Sequence, residues 1–304
     1  MTKQLIGTFL LGLGIAGLTQ CKGPLKPPPG DPDNGGLILP GGFVALTVVD
    51  SIGRARHLAV NDNGDIYVKL EYNDRMKGKG GTVGLRDTDG DGKADSIVYF
   101  GDYTDVGGSA VGMTIHDGYL YTSTVTSVLR TKLTSGDLIP KSKTEVVLTD
   151  TRQLVNHYWH NTKPLAFDND GHMYVPFGAP TNAGQDLSLY GPTGIPGGHG
   201  LDPEPGLADY AGIWRFDVDK TGQTQKDGYK FAGGIRSVVG MTWNPTDNSL
   251  YLVMNGIDNF HTLFPDKYSS CQAAVLPAES LIKEKDGSDF GWPYSYYDQM
   301  LGKN

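Results

Sequence analysis

Three groups of residues in this 304-residue chain have side chains that could do chemistry. His160 stands just ahead of two short apolar runs, Leu165-Ala166-Phe167 and Met173-Tyr174-Val175, joined by Asp168-Asn169-Asp170-Gly171. The joining residues tolerate left-handed turn geometry, so the unit reads as a β-hairpin. A loop leading into a core strand can hold a histidine at the mouth of a rigid scaffold, and an imidazole is a suitable base near neutral pH. Arg236, within Phe231-Ala232-Gly233-Gly234-Ile235-Arg236-Ser237-Val238-Val239-Gly240-Met241-Thr242-Trp243, occupies the same station before another such strand. Alone, an arginine is most often a solvated surface charge, and the parallel placement is what singles this one out. The third group is Asp87-Thr88-Asp89-Gly90-Asp91-Gly92-Lys93-Ala94-Asp95, with carboxylates at positions 1, 3, 5 and 9, glycine at 6 and the Lys93 carbonyl at 7. A hard cation such as Ca²⁺ takes this kind of oxygen set. The twelfth position is Val98, and the flanks Val83-Gly84-Leu85-Arg86 and Ser96-Ile97-Val98-Tyr99-Phe100 read as strands, so the motif predicts a calcium-clamped hairpin rather than an EF-hand. Its role would be structural, because a closed ligand set leaves no position for substrate.

The elements that must position these residues repeat. Two or three alternating apolar residues, a polar turn and an aromatic-apolar strand recur at Leu58, Met113, Leu165 and Met241, with gaps of 55, 52 and 76 residues. One similar hairpin per period of about fifty residues fits a four-stranded propeller blade better than an irregular sandwich. No amphipathic helix of ordinary length interrupts the series. The long last gap comes from an insertion between Gly178 and Gly212, rich in Gly and Pro, which is expected to lie over one end of the central channel.

Composition narrows the class further. With 43 Gly, 18 Pro and 20% charged residues, the chain suits one large β-rich domain. A net charge of −8 without a long Lys/Arg run argues against nucleic acid as a partner. Residues 1–20 read as a lipoprotein signal peptide, with Lys3 ahead of an apolar stretch and Leu18-Thr19-Gln20-Cys21 similar to a lipobox. Cys21 would then be the lipidated residue, anchoring the protein to a membrane of a bacterial cell envelope on its periplasmic or outer-surface side. Residues 21–40 form a Pro/Gly-rich tether, and 41–304 the propeller domain. Only Cys271 would remain besides the anchor, so no intrachain disulfide is expected.

The order HNTKPLAFDNDGHMY, GIWRFD, GGIRSVVGMTW and PAESLIKEKDGSDFGWPYSYYD resembles the sorbosone and soluble glucose dehydrogenases over residues 40 to 298, the FGWPYSYYD ending being its most specific piece. The resemblance implies an all-β, six-bladed propeller of the sugar dehydrogenase type, with about four to five blades in this chain, and a C-terminally truncated form. It implies pyrroloquinoline quinone (PQQ) and Ca²⁺ as cofactors, a sugar or polyol substrate, and hydride transfer to the quinone. The family's base falls on His160 and its arginine on Arg236. Ser237 and Lys163 fall on the cofactor side, and the carbonyls of Gly256 and Ile257 fall where the catalytic calcium is held. Ser237 departs from the asparagine of the glucose enzymes. No Cys-x-x-Cys-His haem site is present, so electrons would pass to an external acceptor, a cytochrome or the quinone pool. Two other readings remain open: a calcium-dependent lactonase-like propeller, and a non-catalytic propeller that captures a glycan or peptide.

Overall fold

The computed structural model describes residues 28–73, 79–103, 112–151, 160–276 and 279–303. The leader, Cys21 and His157 lie outside them. The chain divides into two compact units, one reaching to Thr47 and the other beginning at Val48. In the first, the Asp31 and Asn34 carboxylate and amide oxygens accept the Thr47 and Ala45 amides at 2.8 and 3.0 Å. These bonds tie residues 31 and 34 of the expected tether to residues 45 and 47 beyond it.

The second unit holds four mainly antiparallel sheets, a four-blade propeller arrangement. The first blade holds β1 (Ala55–Val60), β2 (Ile66–Asn73), β3 (Lys79–Arg86) and β4 (Ser96–Tyr103). The second holds β5 (Met113–His116), β6 (Tyr119–Ser123), β7 (Ser127–Lys132) and β8 (Glu145–Thr149). The third opens with β9 (Ala166–Phe167), β10 (His172–Phe177) and β11 (Gly212–Asp217). The chain then makes β12 (Gln223–Thr224), which leaves to pair in parallel with β8, and returns as β13 (Tyr229–Gly233). The fourth is β14 (Val238–Asn244), β15 (Ser249–Met254) and β16 (Ser280–Glu284), after which β17 (Ser288–Asp289) pairs in parallel with β13. The third and fourth blades thus each lend a short outer strand to the blade before them. All four hairpins expected from the repeat are present as β1/β2, β5/β6, β9/β10 and β14/β15. Among the described residues, the α-helices are four residues long: α1 (Leu187–Tyr190), α2 (Phe260–Leu263) and α3 (Ser270–Ala273).

The blades adhere because their strands bury both faces, which is why β10 reads as a nearly continuous apolar run. Tyr121, Val128 and Leu148 of the second blade interlock with Met173, Val175 and Phe177 of the third. Tyr174 and Phe231 of the third pack with Leu250, Leu252 and Ile282 of the fourth, and Tyr174 stacks on Trp243 at 5.3 Å. Each large apolar side chain so enclosed contributes about 1.5–3 kcal/mol relative to exposure. The Asp168 turn is closed by its own carboxylate, which accepts the Asp170 and His172 amides at 2.9 Å and the Tyr174 hydroxyl at 2.9 Å.

Candidate active site

His160 lies six residues ahead of β9 and Arg236 two residues ahead of β14. The backbone of Ala179, just past β10, joins them. Its carbonyl lies 2.8 Å from His160 Nδ1, and its amide donates to the Arg236 carbonyl at 2.7 Å. A carbonyl can only accept, so Nδ1 carries the proton and the basic lone pair of the neutral ring falls on Nε2. Burial lowers the imidazole pKa to about 4, with the Arg236 charge pushing in the same direction, against the Ala179 carbonyl and Asp258. The ring is therefore uncharged at neutral pH. His160 also has φ of +48°, a left-handed conformation that costs a non-glycine residue about 1 kcal/mol or more. The approach of β10 to this loop requires Gly178, since a Cβ there would stand 2.1 Å from the His160 carbonyl oxygen.

Arg236 is 2% exposed and tightly held. Its Nε donates to the Asn182 carbonyl at 2.9 Å, and Nη2 donates to Asn182 Oδ1 and to Asp258 Oδ2, both at 2.7 Å. Asn182 is the hub of this part of the molecule. Its amide nitrogen donates to the Asp258 carbonyl at 2.8 Å, its Oδ1 also accepts the Asp258 amide at 2.9 Å, and its carbonyl also accepts Trp292 Nε1 at 3.3 Å. The insertion after Gly178 thus reaches the His160–Arg236 side as a wedge between loops of the third and fourth blades. Burial pulls the guanidinium pKa down and the Asp258 carboxylate holds it up, and the group stays charged.

Arg236, Asn255, Gly256 and Ile257 line a cavity of about 20 Å³, closed from the other side by Trp292 and Tyr296. That volume admits one water or one ion. Asn255 Oδ1 is buried there without a hydrogen-bond partner among the described residues, and Nδ2 of Asn161, the neighbour of His160, is likewise buried without one among them. An unpaired amide oxygen beside the backbone of Gly256 and Ile257 has the hard-oxygen chemistry that Ca²⁺ takes, so these residues fit a calcium ion. The cavity does not admit a tricyclic quinone, which would have to lie outside it. A larger open groove of about 640 Å³ along the fourth blade is lined by none of the expected site residues.

The other expected residues separate from this cluster. Ser237 is buried, and its carbonyl accepts the Asn255 amide at 3.0 Å, so it supports the cavity floor through its backbone. Lys163 is 1% exposed, pairs with Asp150 at 3.1 Å and lies 5.3 Å from the Phe177 ring centre. Its ammonium is committed between the second and third blades and does not line the Arg236 cavity. The Asp87 loop joins β3 to β4 as expected, with its four aspartates exposed. Asp87, Asp89 and Asp95 bring carboxylate oxygens within 4.8 Å of one another. Asp91 instead caps the Lys93 amide at 2.7 Å and stands outside this trio. Asn182, Ala179, Asn161, Asn255 and Asp258 carried no signal in the sequence strong enough to single them out, since each matters only through a partner far along the chain.

These sheets and crossovers define a β-propeller. No family model matches the chain, and no curated protein is similar enough to count as a relative. Among solved structures, it is similar to the Carbohydrate-Active Enzymes Family AA12 protein of Trichoderma reesei in its iodide structure, with a TM-score of 0.60 at 16% identity over 83% of this chain and 59% of that one. It is similar to the holo form of the pyranose dehydrogenase PQQ domain of Coprinopsis cinerea, with a TM-score of 0.60 at 14% identity over 86% of this chain and 60% of that one. The PQQ-bound aldose sugar dehydrogenase of Streptomyces coelicolor gives a TM-score of 0.52 at 16% identity, over 83% and 66% of the two chains. The chain spans about three fifths of the first two structures, and what it shares with all three at these identities is the fold.

Proposed function

We propose that this chain is a PQQ-dependent oxidoreductase of the sorbosone and soluble glucose dehydrogenase type, acting on a hydroxyl or aldehyde of a sugar or polyol. The observation that carries the reading is the Ala179 bridge, which sets an uncharged His160 with Nε2 as its basic nitrogen beside a buried Arg236. In this reading His160 Nε2 takes the proton of the substrate hydroxyl. When bound, PQQ supplies the two-electron acceptor for the hydride. Arg236, fixed by Asn182 and Asp258, supplies a positive charge that needs no reorganisation as negative charge develops nearby. Asn255 Oδ1 and the Gly256 and Ile257 carbonyls would hold Ca²⁺ in the adjoining cavity. The pyranose dehydrogenase PQQ domain and the PQQ-bound aldose sugar dehydrogenase named above support the reading by the cofactor and sugars in their names.

The protein would be lipid-anchored through Cys21 in a bacterial envelope and would pass electrons to an external acceptor. No helix among the described residues is long and apolar enough to cross a membrane. The test is to load the protein with Ca²⁺, titrate it with PQQ and follow dye reduction across aldoses, sorbosone and polyols. Saturable reduction that disappears in His160→Ala, with the circular dichroism spectrum unchanged, is the expected result. A folded protein that neither binds PQQ nor reduces dye sinks the reading. Cys21→Ala, expressed in a bacterial host fed labelled palmitate, is expected to lose its label and its membrane fraction.

A further inference from the structure

Between Asp31 and Thr47 the first unit closes into a loop whose far end is apolar. The base is tied three times. Asp31 accepts the Thr47 amide on its carboxylate at 2.8 Å and donates its own amide to the Ala45 carbonyl at 2.8 Å, and Asn34 Oδ1 accepts the Ala45 amide at 3.0 Å. At the tip, Pro40-Gly41-Gly42, the Phe43 amide donates to the Pro40 carbonyl at 3.2 Å, and Gly42 takes a φ of +90° that turns the chain back. The arms of that turn carry Leu37, Phe43 and Val44, exposed by 59, 69 and 64%, and Ile38, which is fully exposed. No residue from 34 to 49 is charged, and none of the described residues up to Thr47 is buried. These side chains therefore stand on a segment with no core of its own. Four large apolar side chains presented together on a loop tied at its base mark a contact with something apolar.

We propose that residues 37–44 enter a lipid surface, as a second membrane contact beside the lipidated Cys21. The inference rests on the anchoring reading given above and changes what the expected tether does: it brings the first folded loop down onto the bilayer. Three features select lipid over a protein face. Leu37 is 16 residues past Cys21, a chain that spans about 55 Å at most, so an anchored Cys21 confines the loop to the neighbourhood of the bilayer. In the sequence, the only charges between Cys21 and Asp31 are Lys22 and Lys26, whose sign suits anionic headgroups. From Leu37 to Val44 no side chain carries a polar atom, so the loop offers burial without a side-chain hydrogen bond that would select a protein partner, which is what the boundary between headgroups and acyl chains asks of it.

The test uses the mature lipidated protein in vesicles of three parts phosphatidylethanolamine to one part phosphatidylglycerol. A nitroxide is placed on Ile38→Cys in a Cys271→Ser background and, as a control, on the native exposed Cys271. At position 38 it is expected to be relaxed by oxygen, which concentrates in lipid, and shielded from a water-soluble nickel chelate, the reverse of the control. A nitroxide at 38 as open to the chelate as that on Cys271 overturns the proposal. So does shielding that persists in leader-free Cys21→Ala protein without vesicles, since a protein face would then cover the loop. Flotation of the leader-free Cys21→Ala protein with the same vesicles separates the loop from the anchor. Part of it is expected to float in excess lipid, and Ile38→Asp combined with Phe43→Asp to lower that fraction at least about fivefold at an unchanged melting temperature. No flotation, or flotation that ignores the two aspartates, overturns the proposal. Palmitate labelling judges the anchor by itself. A labelled Cys21 with a chelate-accessible position 38 would keep the anchor and remove the loop contact, and flotation through Ile38 and Phe43 in a protein that takes no label would keep the loop contact and remove the anchor.

Discussion

The Asp87 hairpin and the Arg236 hub are built from the same material, side-chain oxygens that gather backbone amides, yet they do opposite things. In the hairpin, Asp87 accepts the Gly90 and Gly92 amides at 2.7 and 2.8 Å, and Asp95 accepts the Thr88 amide and hydroxyl, both at 2.7 Å. Every partner lies within nine residues, all of it in water. The hub draws on residues 54, 76 and 110 positions apart, and Asn182 and Arg236 are only 3% and 2% exposed. Closing the first costs little chain entropy and returns little. Closing the second fixes the relative placement of loops from two blades. In water an aspartate exchanges one set of hydrogen bonds for another, whereas a buried amide or guanidinium that loses its partner bears the whole cost of desolvation.

The contrast can be broken most severely at the hub. Arg236→Ala removes three hydrogen bonds and leaves a void beside the 20 Å³ cavity. It should destabilise the protein by about 3 kcal/mol, read as a lower urea midpoint, and Arg236→Lys should recover little because an ammonium cannot reproduce the fork that meets Asn182 and Asp258. A wild-type midpoint in either variant would show that the hub is dispensable. Gly178→Ala comes next. The new Cβ would meet the His160 carbonyl and its side chain, both backbone-anchored, so the His160 loop must move. About 2 kcal/mol of stability and most of any His160-dependent turnover should be lost together. Retention of turnover would mean that the loop adapts without moving its ring.

The same contrast decides what could be read in the sequence. Asp168-Asn169-Asp170-Gly171 and the Asp87 loop announce their turns because each turn is closed by residues inside it, and the alternating runs beside them give β9, β10, β3 and β4. The parallel stations of His160 and Arg236 were legible for a related reason, since both are fixed relative to the inner strand that follows. Asn182 was not legible, because nothing near it in sequence distinguishes an asparagine bonded to Arg236 from one in a solvated loop. Lys163 was read toward the cofactor from the resemblance; its ammonium pairs with Asp150 and lies 5.3 Å from the Phe177 ring centre, neighbours that the local sequence does not announce. The two-residue strands β12 and β17 escaped for the same cause: they are too short to show a period, and their pairing runs backward to the preceding blade.

His160 sharpens the comparison through pH. Its folded pKa, about 4, lies below the ordinary 6.5, so the folded state resists the proton that the unfolded chain accepts. Stability from this group is complete above pH 6.5 and is lost as pH falls from there toward 4, to a total of about 3 kcal/mol if the whole shift is realised. Asp65 and Asp168, held below their usual range by Arg86 and by the His172 and Tyr174 hydrogen bonds, lose stability in the same direction but at lower pH. His160→Gln should therefore flatten the stability curve between pH 6.5 and 4.5 and leave the steeper fall below pH 4. An unchanged curve between 6.5 and 4.5 would show that the ring is not buried as described.

The smallest effect belongs to the hairpin, and its sign depends on metal. In the chelated protein, Asp87 and Asp95 already have their carboxylates held below the usual range by hydrogen bonds from the loop, so the turn closes without an ion. Asp89→Asn should then barely move the melting temperature in chelator, since Asp89 contributes a single 3.1 Å contact to the Asp91 amide. If Ca²⁺ binds, it must displace part of that amide network and draw Asp87, Asp89 and Asp95 together, and wild type would melt higher in millimolar Ca²⁺ while the variant would not. The hairpin joins β3 and β4, whose Arg86 and Phe100 also meet the second blade, so a saturating ion would act first on those two strands. A rise in melting temperature shared equally by wild type and Asp89→Asn would assign the calcium response elsewhere, to the Asn255 cavity, and would leave the hairpin as a turn closed by its own backbone.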